Sequence, residues 1–252
     1  MLSVRVIPTL LLRNNGLVKG SHFKDHRYVG DPINAVKIFN EKEVDELVFL
    51  DIAATSNGNG PNFDLLRDIA SEAFMPFGYG GGITNCQQIE KLFNLGVEKV
   101  IINTAAFQTP QLIQDASRLA GAQSIVVSID AKKTLLGGYE VYVASGQQRT
   151  KTNPVEFAKK MQDLGAGEII ICSIDQEGTG QGYDQKLLKS VSNAVAIPVV
   201  ASGGAGKLED FSQAVFNCGT SAVAAGDMFV FHGKHKAVLI TYPKYSDLTE
   251  LF

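Results

Sequence analysis

Residues 31–51, DPINAVKIFNEKEVDELVFLD, reappear 122 positions later as residues 153–173, NPVEFAKKMQDLGAGEIIICS, with no gap needed to match them. Pro32 falls on Pro154, Lys37 on Lys159 and Glu46 on Glu168. Each copy runs a capped helix into an apolar strand, the order of a β/α repeat unit. A second pair behaves alike: YGGGITNCQQIEKLFNLGVEKVIINTAAF from Tyr79 and ASGGAGKLEDFSQAVFNCGTSAVAAGDMF from Ala201 align at offset 122, then at 123 after one inserted residue. The offset is close to half of the 252 residues, so the chain reads as a duplicated half, with half-barrels at about 1–122 and 123–252. Both copies set a glycine run between a strand and a helix.

Eight short β-branched runs follow from a pass along the chain: Val4–Leu10, Glu46–Ile52, Met75–Tyr79, Lys99–Asn103, Ser124–Asp130, Glu168–Ile174, Pro198–Ser202 and Ser221–Ala225. Helical patterns separate them, beginning near Pro32, Asn62, Asn85, Pro110, Asn153, Asp184, Lys207 and Phe229. Near-continuous apolar strands alternating with amphipathic helices predict a parallel sheet covered on its outside. Eight such units predict an α/β fold, a (β/α)8 TIM barrel filling residues 1–252 as one domain. Length alone, at about 150 residues per domain, suggests two. The two longest connections, Leu11–Gly30 and Ala131–Thr152, stand in equivalent places of the two halves and follow strand carboxyl ends, where such barrels put their chemistry.

Composition removes several function classes. A net charge of −3 and a pI near 5.8 give no electrostatic reason to expect nucleic acid or an anionic membrane, and no apolar stretch approaches 18 residues. The start, MLSVRVIPTLLL, lacks the basic region and cleavage site of a signal peptide. Three cysteines, Cys86, Cys172 and Cys218, with Cys172 inside an apolar strand, fit a cytosolic protein without disulfides. His22, His26, His232 and His235 have no metal-site spacing, so neither metal nor cofactor is expected.

Gly80-Gly81-Gly82 and Gly203-Gly204 each follow a strand and lead into a helix, so backbone N–H groups can converge on an anion with no Cβ in the way. The next turns, Asn103-Thr104-Ala105 and Gly226-Asp227-Met228, have the same placement. Paired placement favours two phosphate sites, one per half, over glycines that only make tight βα turns. The second site carries a flaw: Asp227 stands where a hydroxyl donor is expected, and at about 4 Å a carboxylate opposes each phosphate charge by roughly 1 kcal/mol in water or about 4 at an effective dielectric of 20. A plain helix N-cap accounts for Asp227 equally well. Asp51, Asp130 and Asp175 end strands two, five and six, where an unpaired charge is costly unless it has a task. Asp130 and, in the first long loop, Lys19 are the catalytic candidates, and Asp175 joins the substrate contacts. Pairing with a lysine explains Asp51 as well, and a loop lysine is often merely solvated.

At the opposite end, Arg5, Glu46, Lys99 and Glu168 lie at or just inside the starts of strands one, two, four and six. Two positive and two negative charges there can close a ring over the barrel floor. On position alone a structural salt-bridge cluster is the default, because the bottom face of such barrels ordinarily serves stability.

These segments together resemble a family. GDPINAVKIFNEKEVDELVFLDI, GGGITN, KVIINTAA, VVSIDAKK, GYEVY, LGAGEIIICSIDQEGTGQGYD and IPVVASGGAGKLEDF are similar to the HisF family, the cyclase subunits of imidazole glycerol phosphate synthase, over almost the whole chain. The resemblance implies a barrel that docks a class I glutaminase on its bottom face, around Glu98 and Lys99, passes ammonia through a charged gate and binds a doubly phosphorylated small molecule at its top. It implies Arg5, Glu46, Lys99 and Glu168 as the gate. It further implies Gly82, Asn103, Thr104, Gly203 and Gly204 as phosphate contacts, and Asp130 as one of two catalytic aspartates.

The other aspartate is missing. Where the family has a motif like IPCLDV, this chain has Ile7-Pro8-Thr9-Leu10-Leu11-Leu12, which puts Leu11 in the acid's position. A general acid or base contributes on the order of 10² to 10⁴ in rate, and neither leucine nor the nearby Asn14 and Asn15 can supply it. A kept gate with a lost acid, together with the stretch VFHGKHKAVLITYP, resembles the glycosyl amidation-associated (WbuZ-like) branch. That branch implies a further partner, a sugar amidotransferase that turns an acetamido sugar into an acetamidino sugar for surface polysaccharide. Two other functions remain open: a cyclase of histidine biosynthesis, and a scaffold that only activates the glutaminase.

Overall fold

The computed structural model describes residues 4–252. Eight parallel strands form its centre: β1 (Arg5–Arg13), β2 (Leu47–Asp51), β3 (Phe77–Gly80), β4 (Lys99–Ile102), β5 (Ile125–Lys133), β6 (Glu168–Ser173), β7 (Val199–Ser202) and β8 (Ala222–Ala225). Each pairs with the next, and β8 returns to β1 with Arg5 opposite Ala222, so the sheet is a closed barrel. Every strand in the sequence reading overlaps one of these.

Five of the helices begin where the sequence supplies a side-chain oxygen for the first free N–H groups. Asp31 caps α1 (Pro32–Glu41) by accepting from the Asn34 N–H at 2.9 Å, with Pro32 at the first position, where its missing donor costs nothing. Asn62 caps α2 (Phe63–Glu72) and Asn85 caps α3 (Cys86–Asn94), while Pro110 precedes α4 (Gln111–Ala120). Asn153 caps α5 (Pro154–Asp163), Asp184 caps α6 (Gln185–Ser192), and Lys207 precedes α7 (Leu208–Cys218). The last helix departs from expectation. Asp227–Val230 make one short turn and Phe231–His232 pair with Ala237–Val238 around a Gly233 at φ 70°. Only Tyr245–Leu251 form α8. Pro243 and that glycine turn interrupt a helix that would otherwise run on from Phe229.

Both long connections are antiparallel hairpins. β1 runs on past the barrel rim, turns through Asn14 and Asn15 at φ 50° and 65°, and pairs with Gly16–Ser21; a second turn at His22 and Phe23, φ 51° and 61°, leads into Lys24–Gly30. Two-residue turns with both φ positive match the right-handed strand twist, and asparagine tolerates them. β5 likewise extends and pairs with Tyr139–Val143.

Strand alternation divides the core. Val6, Leu10, Phe49, Tyr79, Val100, Ile169 and Val223 face outward into the helix layer. Ile7, Val48, Ile101, Val126, Ile170, Val200, Ala222 and Ala224 fill the barrel, with Leu50 against them. The interior depends on β3 being small: a Cβ on Gly80 would lie 2.8 Å from the Ile101 carbonyl oxygen and 2.9 Å from Leu50 Cδ2. Gly80→Ala is therefore expected to destabilise the barrel by about 1–3 kcal/mol through overpacking, read as a lower urea midpoint at unchanged slope.

Candidate functional site

The same alternation sets two constellations at opposite ends of the barrel axis. Inward positions of β1 run Arg5, Ile7, Thr9, Leu11; those of β6 run Glu168, Ile170, Cys172. Each strand thus begins on a charge, crosses an apolar layer and ends at the mouth.

At the strand starts, Arg5, Glu46, Lys99 and Glu168 meet. Glu46 Oε2 accepts from both Arg5 and Lys99, the latter at 3.0 Å, while Glu168 accepts from Arg5 through Oε1 and from Lys99 through Oε2 at 2.9 Å. The four form a closed, electrically neutral circuit in which each charge touches two of opposite sign. The carboxylates are buried, whereas Arg5 and Lys99 keep 31% and 22% of their side-chain surface open to solvent, so the ring is the outer lid of the interior. β3 contributes Gly78 just above this level, where a Cβ would lie 3.2 Å from Ile101 Cδ1 and 3.5 Å from Lys99 Cβ.

At the strand ends, a cavity of about 170 Å³ opens beneath the β1 hairpin. Lys19, Gly81, Gly82, Asn103, Thr104, Asp130 and Gly226 line it, as does Leu11. Lys19 is not a solvated loop residue. It sits on the hairpin strand Gly16–Ser21, is only 4% exposed, and holds the Glu177 carboxylate. Burial lowers its pKa to about 8, with the charge of Asp227 pulling the other way, so the ammonium still predominates at neutral pH. Asp130 is buried beside Asn103, whose Nδ2 donates to Asp130 Oδ2 at 3.2 Å and to the Ser128 carbonyl at 3.0 Å. Burial pushes the Asp130 carboxyl up to about 7, with the Asn103 hydrogen bond pulling the other way. Such a group can both give and take a proton near neutrality. Cys172, its neighbour across the β5–β6 register, is pushed up by burial to about 12 and stays a thiol.

The glycines of the first half also serve packing. A Cβ on Gly82 would fall 2.4 Å from the Asn59 carbonyl and one on Gly81 2.6 Å from Asp51 Cβ. Asp51 itself accepts from the N–H groups of Ala53 and Ala54, both at 3.0 Å, and so holds a turn instead of pairing with a lysine. Thr104 Oγ1 accepts from the Ala144 N–H at 3.0 Å, which draws the β5 hairpin across the mouth.

Three expected contacts lie elsewhere. Asp175 accepts from the Lys133 N–H at 2.8 Å, and Gly203 and Gly204 do not line the cavity. Gly204 packs on Gly182, whose N–H donates to its carbonyl at 2.8 Å. Asp227 is held by Lys236 at 3.1 Å. Glu177 and Lys236 were not singled out in the sequence, because nothing local ties a residue to a partner 158 or nine positions away. Cys172, Ser128 and Ser202, also in the lining, had a signal: counting by twos from Glu168 reaches Cys172, and counting by twos from the interior residues Val126 and Val200 reaches Ser128 and Ser202.

The raised Asp130 carboxyl has a measurable consequence. Its folded pKa lies above the ordinary 3.8, so its contribution to stability is full below 3.8 and is lost as pH rises to about 7. Asp130→Asn removes that loss while its amide oxygen still accepts from Asn103. The variant is expected to match the wild type near about pH 4 and to exceed it above about pH 7 by on the order of 2–4 kcal/mol, read as a widening Tm gap.

Residues 5–236 match the family described as histidine biosynthesis protein. The chain is 49% identical over 98% of its length to a Pseudomonas aeruginosa protein provisionally named imidazole glycerol phosphate synthase subunit hisF2, of which 99% is covered. It is 46% identical over 100% of both chains to a Leptospira interrogans protein provisionally named as the HisF subunit of that synthase. Identity is 45% to the imidazole glycerol phosphate synthase subunit HisF of Endomicrobium trichonymphae, over 91% of this chain and 88% of that one. With its closed eight-stranded parallel barrel, the chain belongs to the histidine biosynthesis protein family and, within it, to the HisF proteins.

Proposed function

We propose that this chain is a HisF-like synthase subunit of a glutamine amidotransferase complex. It receives ammonia from a glutaminase docked at the strand-start face, around Glu98 and Lys99, and relays it through the barrel. The observation that carries this is the axial order of the interior: a neutral four-charge ring, then an apolar layer of Ile7, Val48, Ile101, Val126, Ile170 and Val200, then a polar mouth. Ammonium entering such a layer would lose its hydration without compensation, whereas neutral ammonia crosses at far smaller cost. A ring of alternating charges is suited to exchange the ordered water shell at the entrance for its own hydrogen bonds, and its neutrality offers no binding site for the ammonium ion.

The acceptor is an acetamido sugar destined for surface polysaccharide, amidated by a separate amidotransferase, as in the glycosyl amidation-associated branch. Leu11 supports that choice, since it presents a hydrocarbon to the cavity opposite Asp130. Two observations favour a second reading, cyclisation to imidazole glycerol phosphate: Asp130 is present with its carboxyl pushed up to about 7, and the relatives bear that synthase's name. The Leu11 reading predicts ammonia-dependent cyclisation on the order of 10² or more below that of a barrel carrying both acids, with partial recovery in Leu11→Asp. Cyclisation at full rate by the unmodified chain would favour the second reading.

Relay is tested with the glutaminase, the barrel and the sugar amidotransferase together. With ¹⁵N-amide glutamine competing against unlabelled ammonia, Lys99→Ala and Glu168→Gln are expected to lower the labelled nitrogen delivered per glutamine hydrolysed, because an unpaired charge reorganises the opening. External ammonia should still serve. An unchanged ratio at all four ring positions would point to a scaffold that activates the glutaminase without passing ammonia.

A further inference from the structure

Three antiparallel hairpins stand around the mouth, and they join into one rim. Arg27, from the β1 hairpin, lies 4.0 Å over the Phe231 ring and donates to the Lys236 carbonyl, which ties that hairpin to the pair Phe231–His232 and Ala237–Val238. A Cβ on Gly146 would lie 2.9 Å from Phe23 Cδ2, so the β5 hairpin meets the tip of the β1 hairpin. The segments that carry the rim, residues 11–30, 131–152 and 227–239, hold ten of the chain's 23 lysines and arginines but three of its 26 acids, an excess of seven positive charges on a chain of net charge −3. Two of those three acids are already matched, Glu140 by Arg149 and Asp227 by Lys236. The loop after β6 adds Asp175, Glu177 and Asp184, which lowers the excess to four; these acids are held by the Lys133 N–H, by Lys19 and by Lys133 Nζ. Arg13, Lys24, Lys132, Lys151 and Lys234 are exposed and have no carboxylate partner among the described residues. The rim also exposes hydrocarbon. Leu135 and Leu136 are 107% and 100% exposed at the tip of the β5 hairpin, in a turn fixed by the Thr134 N–H on the Gly138 carbonyl at 2.9 Å and by Gly137 at φ 83°. Tyr28, Val238 and Leu239 lie open on the other two hairpins.

We propose that this rim docks the enzyme that consumes the ammonia, through an acidic surface of that enzyme with an apolar recess for Leu135 and Leu136. The proposal rests on the relay reading above and adds where the acceptor stands. Ammonia that reaches an open mouth at neutral pH takes a proton from water and mixes with the bulk, so a relay needs its exit covered by the protein that holds the acceptor. Charge selects the kind of surface: cations spread over three hairpins repel a basic partner and steer an acidic one into register. At a wet rim such pairs contribute little affinity by themselves. Two adjacent leucines on an ordered turn supply the contact that does, since their hydrocarbon leaves water only when a partner covers it. An anionic bilayer would meet the same cations, but it brings no active site to the exit.

The test is a binding titration of the full chain with the purified sugar amidotransferase at low and at high salt, with no glutamine or ammonia present. Saturable binding that weakens as salt rises is expected. Leu135→Ser combined with Leu136→Ser is expected to weaken it about tenfold or more. Lys24→Glu, Lys132→Glu and Lys234→Glu together should weaken it by a similar factor and flatten its salt dependence. All five side chains are exposed, so both variants should keep the wild-type Tm and wild-type binding of the glutaminase at the opposite face, which separates lost docking from lost folding. No binding by the unmodified chain, equal affinity in every variant, or binding indifferent to salt would overturn the proposal. Binding to vesicles of anionic phospholipid in place of the enzyme, weakened by the same substitutions, would overturn it too and assign the rim to a membrane. Lys99→Ala, at the far end of the barrel, should leave this affinity unchanged, so failure of the relay and failure of the docking are read separately.

Discussion

A parallel strand in a closed barrel can turn only every second side chain inward, and this restriction organises everything else in the molecule. From the bottom up, the barrel interior passes from the charged ring of β1, β2, β4 and β6 to hydrocarbon and then to a mouth that holds Asn103, Asp130 and Ser202. The ring holds because its carboxylates, both buried, each bind two cations, so neither charge is left uncompensated within a low-dielectric floor. The apolar layer above it separates two regions of charge that would otherwise share water. Function, on the reading given above, is a property of that axial order and not of any one residue.

The mouth is closed by secondary structure that extends beyond the barrel. Both long connections are hairpins continuous with barrel strands, so their side chains keep the register of β1 and β5. That rigidity is what buries Lys19 against Glu177 and against the backbone of Gly226, where a Cβ would come within 3.3 Å of its Nζ. Tyr139 and Lys133 fasten the second hairpin to Asp184, the N-cap of α6. A lysine fixed in this way presents a defined charge to the cavity at little further entropic cost.

Around the mouth, environment assigns roles that residue type alone does not. Asp51 and Asp175 are spent on backbone N–H groups and hold turns. Asp130, with one side-chain donor and deep burial, is the carboxyl whose charge is least supported, and so the one with a proton to exchange near neutrality. Leu11 offers no second exchanging group at the mouth. Asp227 is matched by Lys236.

The sequence by itself determined the barrel, the strand positions, the capped helix starts and the membership of the ring. All of these follow from local periodicity, cap chemistry and a repeat offset, which need no knowledge of distant neighbours. Counting by twos from Arg5, Glu46, Lys99 and Glu168 even reaches Leu11, Leu50, Asn103 and Cys172 in the lining. Only the tertiary structure decided which charges meet which. The partnership of Lys19 with Glu177, of Asp227 with Lys236 and of Asp175 with the Lys133 amide arises where separate loops converge over the mouth. Chain order carries no period across such a convergence, and burial, which sets the pKa of Asp130 and Lys19, exists only once the hairpins have closed.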